Sequence, residues 1–255
     1  MSSSLFELAG RTALITGSSR GIGRTLAEGL AAAGARIVLN GVNAERLEGS
    51  VAECRQCGMD AHGRAFDVTD SAAIDAAIEN IETDIGPIDI LINNAGIQRR
   101  FPVLECSDET FLEVMQTNLG SVFKVSRAVG RHMTQRGRGK IVNIGSIQSQ
   151  LGRPSIAPYA ASKGGVAMLT KNLCAEWAPL GVQVNGLCPG YFATELTEAL
   201  VDDAEFSGWV AKRTPAGRWG DVSELVGAAV FLSSDGSNFV NGHMLYVDGG
   251  MSAVV

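Results

Sequence analysis

The sequence lacks the features that mark membrane proteins, secreted proteins and nucleic-acid-binding proteins. It has no uninterrupted apolar stretch of about 18 residues, so we expect no transmembrane helix. Residues 1–10 contain no cationic segment followed by an apolar one, so we expect no secretory signal and a cytoplasmic location. There is no run of basic residues, and the net charge is −6 at pH 7, which disfavours a nucleic acid as a partner.

Cysteine and histidine are also sparse. The five cysteines are an odd number scattered over 255 residues, which argues against a disulfide framework. Cys54 and Cys57 form one C-x-x-C pair, but no second cysteine pair or nearby histidine completes a zinc site. We interpret the pair as two small side chains one turn apart on a helix. The chain has no H-x-x-x-H, no carboxylate cluster and no G-x-S-x-G, so we expect neither a metal nor a serine hydrolase.

Glycine and apolar residues are abundant instead. The chain has 31 glycines, and 45% of its residues are hydrophobic while 19% are charged, which supports a folded core with many tight turns. Short apolar runs alternate with longer segments of helical periodicity, a pattern typical of β–α–β units around a parallel sheet. No repeat or linker divides the chain. Residues 1–255 are therefore predicted to form one doubly wound α/β domain, with a seven-stranded, mostly parallel sheet and helices on both faces.

The same alternation predicts the individual elements. Strands are predicted at Thr12–Ile15, Arg36–Leu39, Asp60–Phe66, Ile88–Ile92, Lys140–Ile144, Val182–Leu187 and His243–Val247. Helices are predicted at Ile22–Ala33, Ala44–Cys57, Ser71–Ile85, Asp108–Gln135, Pro158–Ala178, Thr194–Ala211 and Asp221–Ser233. Asp70 and Asp221 stand at positions where helix N-caps belong.

A glycine-rich segment, T-G-S-S-R-G-I-G at residues 16–23, lies between the first predicted strand and the first predicted helix. Glycine permits a tight turn and a close approach of the backbone to a pyrophosphate, and the helix start adds free N–H groups. Ligands of open parallel sheets bind at the carboxyl ends of the strands, where this loop lies. A plain β–α turn is the alternative interpretation. The predicted dinucleotide site includes Gly17, Ser19, Arg20, Gly21, Ile22 and Gly23.

The end of the second predicted strand bears on the choice between NAD and NADP. An NAD site usually places an acidic residue here to bind the ribose hydroxyls. This sequence has Asn40 and Gly41, followed by Val42 and Asn43, and none of them repels a 2′-phosphate. Arg20 in the glycine loop offers that phosphate a cation. The sequence therefore favours NADP(H), with NAD still possible.

Three residues form the strongest chemical motif. Tyr159 and Lys163 are spaced as Y-x-x-x-K, which places both side chains on one face of a helix. An ammonium near a phenol favours the phenolate and is expected to lower the pKa of Tyr159, so that it can exchange protons near neutral pH. Ser146 follows a predicted strand and can hold a substrate oxygen close to Tyr159. The three residues together predict acid–base chemistry on a substrate oxygen.

These motifs together resemble those of the short-chain dehydrogenase/reductase family, over essentially the whole chain. Further matching motifs are Asp67-Val68, Asn93-Asn94-Ala95-Gly96, Asn118, Pro189-Gly190 with Thr194, and Val247-Asp248-Gly249-Gly250. The resemblance implies a Rossmann-type fold and an oxidoreductase that transfers a hydride between a nicotinamide cofactor and a carbonyl or CH–OH group. One departure concerns the cofactor: NADP-using members commonly carry an arginine where this chain has Val42.

The resemblance also implies roles for individual residues. Tyr159 would exchange the proton, Lys163 would bind the nicotinamide ribose, and Ser146 would orient the reacting oxygen. Asn118 would kink its helix and hold a water that relays protons to Lys163. The remaining cofactor contacts would come from Asn40, Asp67, Val68, Asn94, Ala95, Gly96, Pro189, Gly190 and Thr194.

Arginines near these motifs predict the substrate class. Arg99 and Arg100 follow the N-N-A-G turn, and Arg153 lies between Ser146 and Tyr159. Because arginine binds carboxylates in a bidentate way, we expect a small-molecule substrate with a carboxylate, such as a sugar acid. Surface charges or subunit contacts are the alternative. The predicted substrate contacts are Arg100, Ser146, Gln148, Arg153 and Tyr159, with Gln150 and Glu195 as further candidates for sugar hydroxyls.

Several alternatives stay open at this stage. The substrate is a sugar acid or another ketone, such as a 3-oxoacyl thioester, a polyol or a ketose. A nicotinamide-dependent epimerase or dehydratase would need a larger substrate domain, and the intact Ser146, Tyr159 and Lys163 argue against a non-catalytic cofactor-binding protein. Residues 190–219 are interpreted as a substrate lid, or else as core or interface. The resemblance implies a homo-oligomer, a tetramer.

Overall fold

A computed structural model of the chain describes residues 4–194 and 197–254. The strands in chain order are β1 (Thr12–Ile15), β2 (Arg36–Gly41), β3 (Ala61–Ala65), β4 (Ile88–Asn93), β5 (Gly139–Ile144), β6 (Val182–Pro189), β7 (Phe192–Ala193), β8 (Gly220–Asp221) and β9 (Met244–Val247). Seven of them form one sheet in the order β3-β2-β1-β4-β5-β6-β9, and each pair of neighbours is parallel. The predicted doubly wound sheet is confirmed, with parallel pairing at every neighbouring pair.

Helices cover both faces of this sheet. They are α1 (Gly21–Ala32), α2 (Ala44–Gln56), α3 (Ser71–Asp84), α4 (Asp108–Met115), α5 (Ser121–Arg136), α6 (Ala157–Trp177), α7 (Glu198–Val201), α8 (Ala204–Arg213) and α9 (Val226–Ser233). Successive residues of β1 show how the sheet divides the core: Ala13 and Ile15 pack with α1, α2 and α9, whereas Leu14 packs with α3, α5 and α6. This alternation buries the strands on both sides, which explains why their sequences are almost entirely apolar.

The helix predicted at Asp108–Gln135 is interrupted. A π-helical turn, Gln116–Gly120, lies between α4 and α5. Its central residue, Asn118, is fully buried, and its side chain pairs with both the N–H and the carbonyl of Ile97 at 2.8 and 2.9 Å. A π turn inserts one residue into a helix and reorients the side chains around it, often at functional sites. The irregularity expected at Asn118 is therefore present.

The predictions for the C-terminal third are wrong in detail. The single helix predicted at Thr194–Ala211 is instead two short helices, α7 and α8, preceded by β7. Asp203 separates them, because its carboxylate caps α8 by accepting hydrogen bonds from the N–H groups of Glu205 and Phe206, both at 3.0 Å. The helix predicted at Asp221–Ser233 begins with a 3₁₀ turn at Val222–Leu225, and Asp221 caps it as expected.

The strand order determines where a ligand binds. The chain passes from β1 to β2 and β3 on one side and then returns to place β4 on the other side of β1. The loops that leave β1 and β4 therefore run apart and open a crevice at the carboxyl ends of these strands. None of the described helices combines the length and the apolar sequence that a membrane span needs.

Candidate active site

A cleft of about 860 Å³ lies at the carboxyl ends of the strands. The predicted catalytic residues other than Asn118, all predicted cofactor contacts and the five main predicted substrate contacts line it. They are Gly17, Ser19, Arg20, Gly21, Ile22, Gly23, Asn40, Asp67, Val68, Asn94, Ala95, Gly96, Arg100, Ser146, Gln148, Arg153, Tyr159, Lys163, Pro189, Gly190 and Thr194. We call the part next to residues 16–23 the cofactor end and the part next to Arg100 and Arg153 the substrate end.

The glycine loop approaches other backbone segments too closely for side chains. Gly17 has a φ of +60°, and a Cβ there would stand 2.8 Å from the Cα of Ala95. A Cβ on Gly23 would stand 2.4 Å from the amide nitrogen of Asn94 and 2.5 Å from the carbonyl of Gly17. The loop therefore presents bare backbone at the start of α1, which is the cradle that a pyrophosphate needs.

Two asparagine side chains hold this loop in place. Asn94 donates from its amide to the carbonyls of Thr16 and Gly17 at 3.0 and 2.9 Å. The buried Asn40 accepts from the N–H of Gly17 at 3.2 Å, and its amide donates to the carbonyls of Arg64 and Phe66. Both amides therefore serve the protein's own backbone, while their contact with a cofactor stays a prediction.

The adenosine side of the cofactor end contains a residue that the sequence reasoning missed. Val42 is exposed at the cleft, and Arg46 on α2 also lines it. Asn43 caps α2 by accepting from the N–H of Arg46, so Arg46 stands on the first turn, directly beyond the loop. The signal for it was the N-cap spacing, which brings the third helical residue back beside the loop. Arg46 and Arg20 thus both line this part of the cleft.

Ser146, Tyr159 and Lys163 meet as their spacing predicted. Ser146 follows β5, while Tyr159 and Lys163 lie one turn apart on α6. The Tyr159 hydroxyl lies close enough to the Ser146 side chain for that side chain to act on the pKa of the phenol. The ammonium nitrogen of Lys163 donates to the carbonyl of Ile144 at 2.7 Å and lies 5.7 Å from the centre of the Tyr159 ring. The backbone N–H of Gln148 donates to the Ser146 hydroxyl at 3.2 Å, which fixes that hydroxyl at the end of the strand.

The expected lowering of the pKa of Tyr159 is wrong for this structure. Burial raises the pKa of the Tyr159 phenol, and the hydrogen bond with Ser146 opposes that rise. Burial also lowers the pKa of Lys163 to about 8, which weakens it as a cation. The reason is geometric, since the ammonium is directed to a backbone carbonyl and lies over the ring. A protonated phenol is suited to donating a proton to a carbonyl oxygen.

Asn118 lies behind the cleft. Besides its pairing with Ile97, its amide donates to the Ser162 hydroxyl at 3.2 Å on α6, the helix that carries Tyr159 and Lys163. The side chain therefore ties the chain after β4 to this helix. A proton relay through Asn118 stays a prediction.

The substrate end joins two arginines to an aromatic cluster. Arg100 and Arg153 both line this end of the cleft, and burial together with the charge of Arg153 lowers the pKa of Arg100. Arg153 donates to the Tyr191 hydroxyl at 3.2 Å and lies 4.6 Å above the Phe206 ring. In the described part of the chain, no carboxylate pairs with either arginine. Two unneutralised cations at the mouth of a cleft form a site for an anion.

Only some of the other predicted substrate contacts line the cleft. Gln148 lines the cleft and accepts from the Ser146 hydroxyl at 3.2 Å. Arg99 is bound instead by Glu113, at 2.8 and 3.1 Å, and neither Arg99 nor Gln150 lines the cleft. Glu195 lies outside the described residues. Tyr191, a cleft residue between Arg153 and the aromatic rings, was missed because no motif marks it.

Comparison with known proteins identifies the family. A short-chain dehydrogenase family model, described as enoyl-(acyl carrier protein) reductase, matches residues 17–252. The chain belongs to the short-chain dehydrogenase/reductase family. It is therefore an oxidoreductase of the short-chain type, as the resemblance implied.

Within this family, three similar proteins are named for gluconate or 5-keto-D-gluconate. Gluconate 5-dehydrogenase of Gluconobacter oxydans is 59% identical over 248 residues, 97% of each chain. The 5-keto-D-gluconate 5-reductase of Escherichia coli K12 is 57% identical over 251 residues, 98% of this chain and 99% of the other. A gluconate 5-dehydrogenase from Burkholderia cenocepacia, solved in complex with NADP and tartrate, is 56% identical with a TM-score of 0.98 and full coverage of both chains.

The sequence also predicts a finer resemblance on three stretches, and these similarities confirm it. Residues 88–100, 212–220 and 237–242 are similar to gluconate 5-dehydrogenases, also called 5-ketogluconate reductases. The third of these is S-N-F-V-N-G, just before β9. The chain is therefore strongly similar to proteins named gluconate 5-dehydrogenase or 5-keto-D-gluconate 5-reductase.

Proposed function

We propose that the chain is an NADP(H)-dependent gluconate 5-dehydrogenase, which interconverts D-gluconate and 5-keto-D-gluconate. The observation that carries the proposal is the placement of Arg100 and Arg153 in the same cleft as the pair Ser146–Tyr159. A hydroxy-acid substrate needs a cationic site for its carboxylate and a hydrogen-bonded proton exchanger for its carbonyl oxygen. The cleft offers both, and its relatives act on such compounds.

NADP(H) fits the cofactor end for two reasons. The glycine loop packs so closely against Ala95 and Asn94 that Gly17 and Gly23 can carry no side chain, and a Cβ on Gly21 meets nothing within 4 Å, so bare backbone is left at the start of α1 for a pyrophosphate. At the adenosine side, Arg20 and Arg46 line the cleft and offer a 2′-phosphate two cations, although Val42 stands where many NADP-using members have arginine. When bound, the nicotinamide supplies or accepts the hydride.

The protein's own residues would hold the substrate and move the proton. In reduction, Ser146 and Tyr159 would bind the carbonyl oxygen, and the Tyr159 hydroxyl would donate its proton as the oxygen becomes an alcohol. In oxidation, Tyr159 would first pass its own proton to Lys163, and the resulting phenolate would then take the proton of the alcohol. Lys163 would bind the nicotinamide ribose and restore the proton to Tyr159, and Asn118 would hold the water of the relay. Pro189, Gly190 and Thr194 would border the nicotinamide.

Residues 190–219, of which the structure describes 190–194 and 197–219, would form the lid of the proposed enzyme. The segment contains β7, α7 and α8, and its aromatic side chains contact one another above the substrate end. A lid of this kind excludes water while the hydride and proton move. The rest of residues 1–255 would form the single domain on which it closes.

The proposed enzyme is a cytoplasmic homotetramer. All five cysteines are free, as a reducing compartment maintains them. Large apolar side chains are exposed on three helices: Phe111 and Leu112 on α4, Phe123 on α5 and Met168 on α6. Exposed apolar surface of this kind suits contact with other copies of the chain. Light scattering tests the oligomer, and a monomer would contradict it.

The experiment that tests the substrate compares initial rates on a panel of ketones. Purified protein is given NADPH or NADH with 5-keto-D-gluconate, a 3-oxoacyl thioester or a neutral ketose, and absorbance is followed. We expect the highest kcat/KM with NADPH and 5-keto-D-gluconate. Good turnover of the thioester without turnover of the keto acid would overturn the substrate but leave the enzyme class intact.

A further inference from the structure

The lid contains a cluster of four aromatic rings with Tyr191 at its centre. The Tyr191 ring lies edge-on to Phe206, Trp209 and Trp219, with each pair of ring centres 5.7 Å apart. Phe206 also stacks on Trp209, at 5.5 Å between ring centres. Such contacts favour a single arrangement of the rings. Tyr191 is therefore held firmly, and its hydroxyl has a fixed position.

Arg153 reaches this cluster from outside the lid. It lies between β5 and α6, and it donates to the Tyr191 hydroxyl at 3.2 Å while its guanidinium lies 4.6 Å from the centre of the Phe206 ring. The guanidinium has five N–H donors, and Tyr191 takes only one of them. The remaining edge is available to an anion in the cleft.

Arg153 and Arg100 are like charges that line the same cleft. Arg153 lowers the pKa of Arg100, and Tyr191 acts in the opposite direction. Two like charges repel unless something holds them together. The Arg153 guanidinium has space to move away from Arg100. A second cavity of about 260 Å³ lies beside the cleft, and its lining includes Arg153, Tyr191, Trp209 and Arg213. A guanidinium released from Tyr191 has room to turn into that cavity.

We propose that Tyr191 is a positioning residue, which holds Arg153 beside Arg100 so that the pair receives the carboxylate of the substrate. This inference rests on the proposed function. It makes the folded lid part of anion recognition, because the aromatic cluster fixes the phenol that fixes the arginine. Tyr191 itself takes no part in hydride or proton transfer.

The test is Tyr191→Phe, which removes the hydroxyl and keeps the ring contacts. We expect the KM for 5-keto-D-gluconate to rise about tenfold, with kcat and the Kd for NADPH unchanged. Tyr246→Phe is the matched control, since that phenol contacts Cys188 and lines neither cavity. A general loosening of the lid would lower kcat as well, so equal melting temperatures and the split between KM and kcat exclude it.

A double-mutant cycle decides whether Tyr191 acts through Arg153. If it does, adding Tyr191→Phe to Arg153→Gln raises KM no further. An unchanged KM in Tyr191→Phe, or a second full increase in the double variant, overturns the inference. The wild type is measured first: if it does not reduce 5-keto-D-gluconate, the proposed function fails and the inference with it, whereas wild-type turnover with an unaffected variant removes the inference alone.

Discussion

The two ends of the cleft are built by different means. At the cofactor end, the surface is backbone, and the buried Asn40 and the partly buried Asn94 hold it through side-chain hydrogen bonds to the glycine loop. At the substrate end, the surface is long side chains, with Arg153 resting on Tyr191 and Phe206. The cofactor end is a closely packed backbone surface, and the substrate end is a set of charged side chains, each held by its own contacts.

Because of this difference, we expect the two ends to respond differently to amino-acid substitutions. A tightly packed backbone surface is sensitive to collisions, so a single added methyl group at the cofactor end is expected to weaken binding of the cofactor. An arrangement of side chains is altered one contact at a time, and each change shifts KM or substrate choice. The comparison predicts that affinity for cofactor and affinity for substrate can be damaged separately, and the variants below test that separation.

The largest effect is expected where the two ends meet. Tyr159→Phe removes the proposed proton donor, and kcat should fall about 10²- to 10⁴-fold. The Kd for NADPH, measured by fluorescence, should stay nearly unchanged because the ring and the glycine loop are intact. Turnover that survives this substitution would show that another group exchanges the proton.

The next largest effect is expected from an added side chain in the glycine loop. Gly23→Ala places a Cβ against Asn94 and the Gly17 carbonyl, at 2.4 and 2.5 Å, so the loop must shift. We expect NADPH to bind about 10- to 100-fold more weakly. Gly49→Ala on α2 is the control, because a Cβ there meets nothing within 4 Å. That control should bind NADPH normally and unfold at a slightly higher temperature. Unchanged NADPH affinity in Gly23→Ala would contradict the interpretation that the glycine loop is a rigid part of the cofactor site.

A smaller effect is expected for a charge at the substrate end. Arg100→Gln should raise the KM for 5-keto-D-gluconate about tenfold, since a charge-assisted contact to the carboxylate is lost. The neighbouring Arg99→Gln provides the control, because Arg99 itself does not line the cleft and its guanidinium pairs with Glu113. Steady-state rates at saturating NADPH measure both. An equal rise in the two variants would mean that net charge, and not a specific contact, attracts the substrate.

The smallest effect concerns the choice of cofactor. Arg46→Gln should reduce the preference for NADPH over NADH about three- to fivefold, because an exposed cation near a phosphate contributes modestly. Val42→Arg in the same protein should restore it. Arg55→Gln at the far end of α2 serves as the control. Binding of NADPH and NADH without substrate gives the ratio, and an unaltered ratio in Arg46→Gln would remove Arg46 from phosphate recognition.

Sequence reasoning reached the cofactor end more completely than the substrate end. The glycine loop is eight consecutive residues, so its position after β1 and before α1 could be predicted from local spacing alone. Tyr159 and Lys163 were equally accessible, because the two residues are four positions apart and therefore lie on one helical face. Arg46 and Tyr191 were missed, since their positions depend on where α2 starts and how the lid folds.

The electrostatics were the least predictable part. A lysine four residues after a tyrosine favours the phenolate only where both groups are hydrated or directly paired. In the folded protein, burial raises the pKa of Tyr159 and lowers that of Lys163, and Lys163 donates to the Ile144 carbonyl. Burial and hydrogen-bond direction are properties of the assembled site and do not follow from spacing.

The sequence by itself determined the strand and helix alternation, the glycine loop and the residues that carry the chemistry, because each depends on neighbours a few positions apart. The tertiary structure alone decided which arginines face the cleft, how Asp203 divides the lid and how Tyr191 meets Arg153, 38 residues before it. Those features arise from contacts between distant segments, and such contacts exist only after the sheet has brought the segments together.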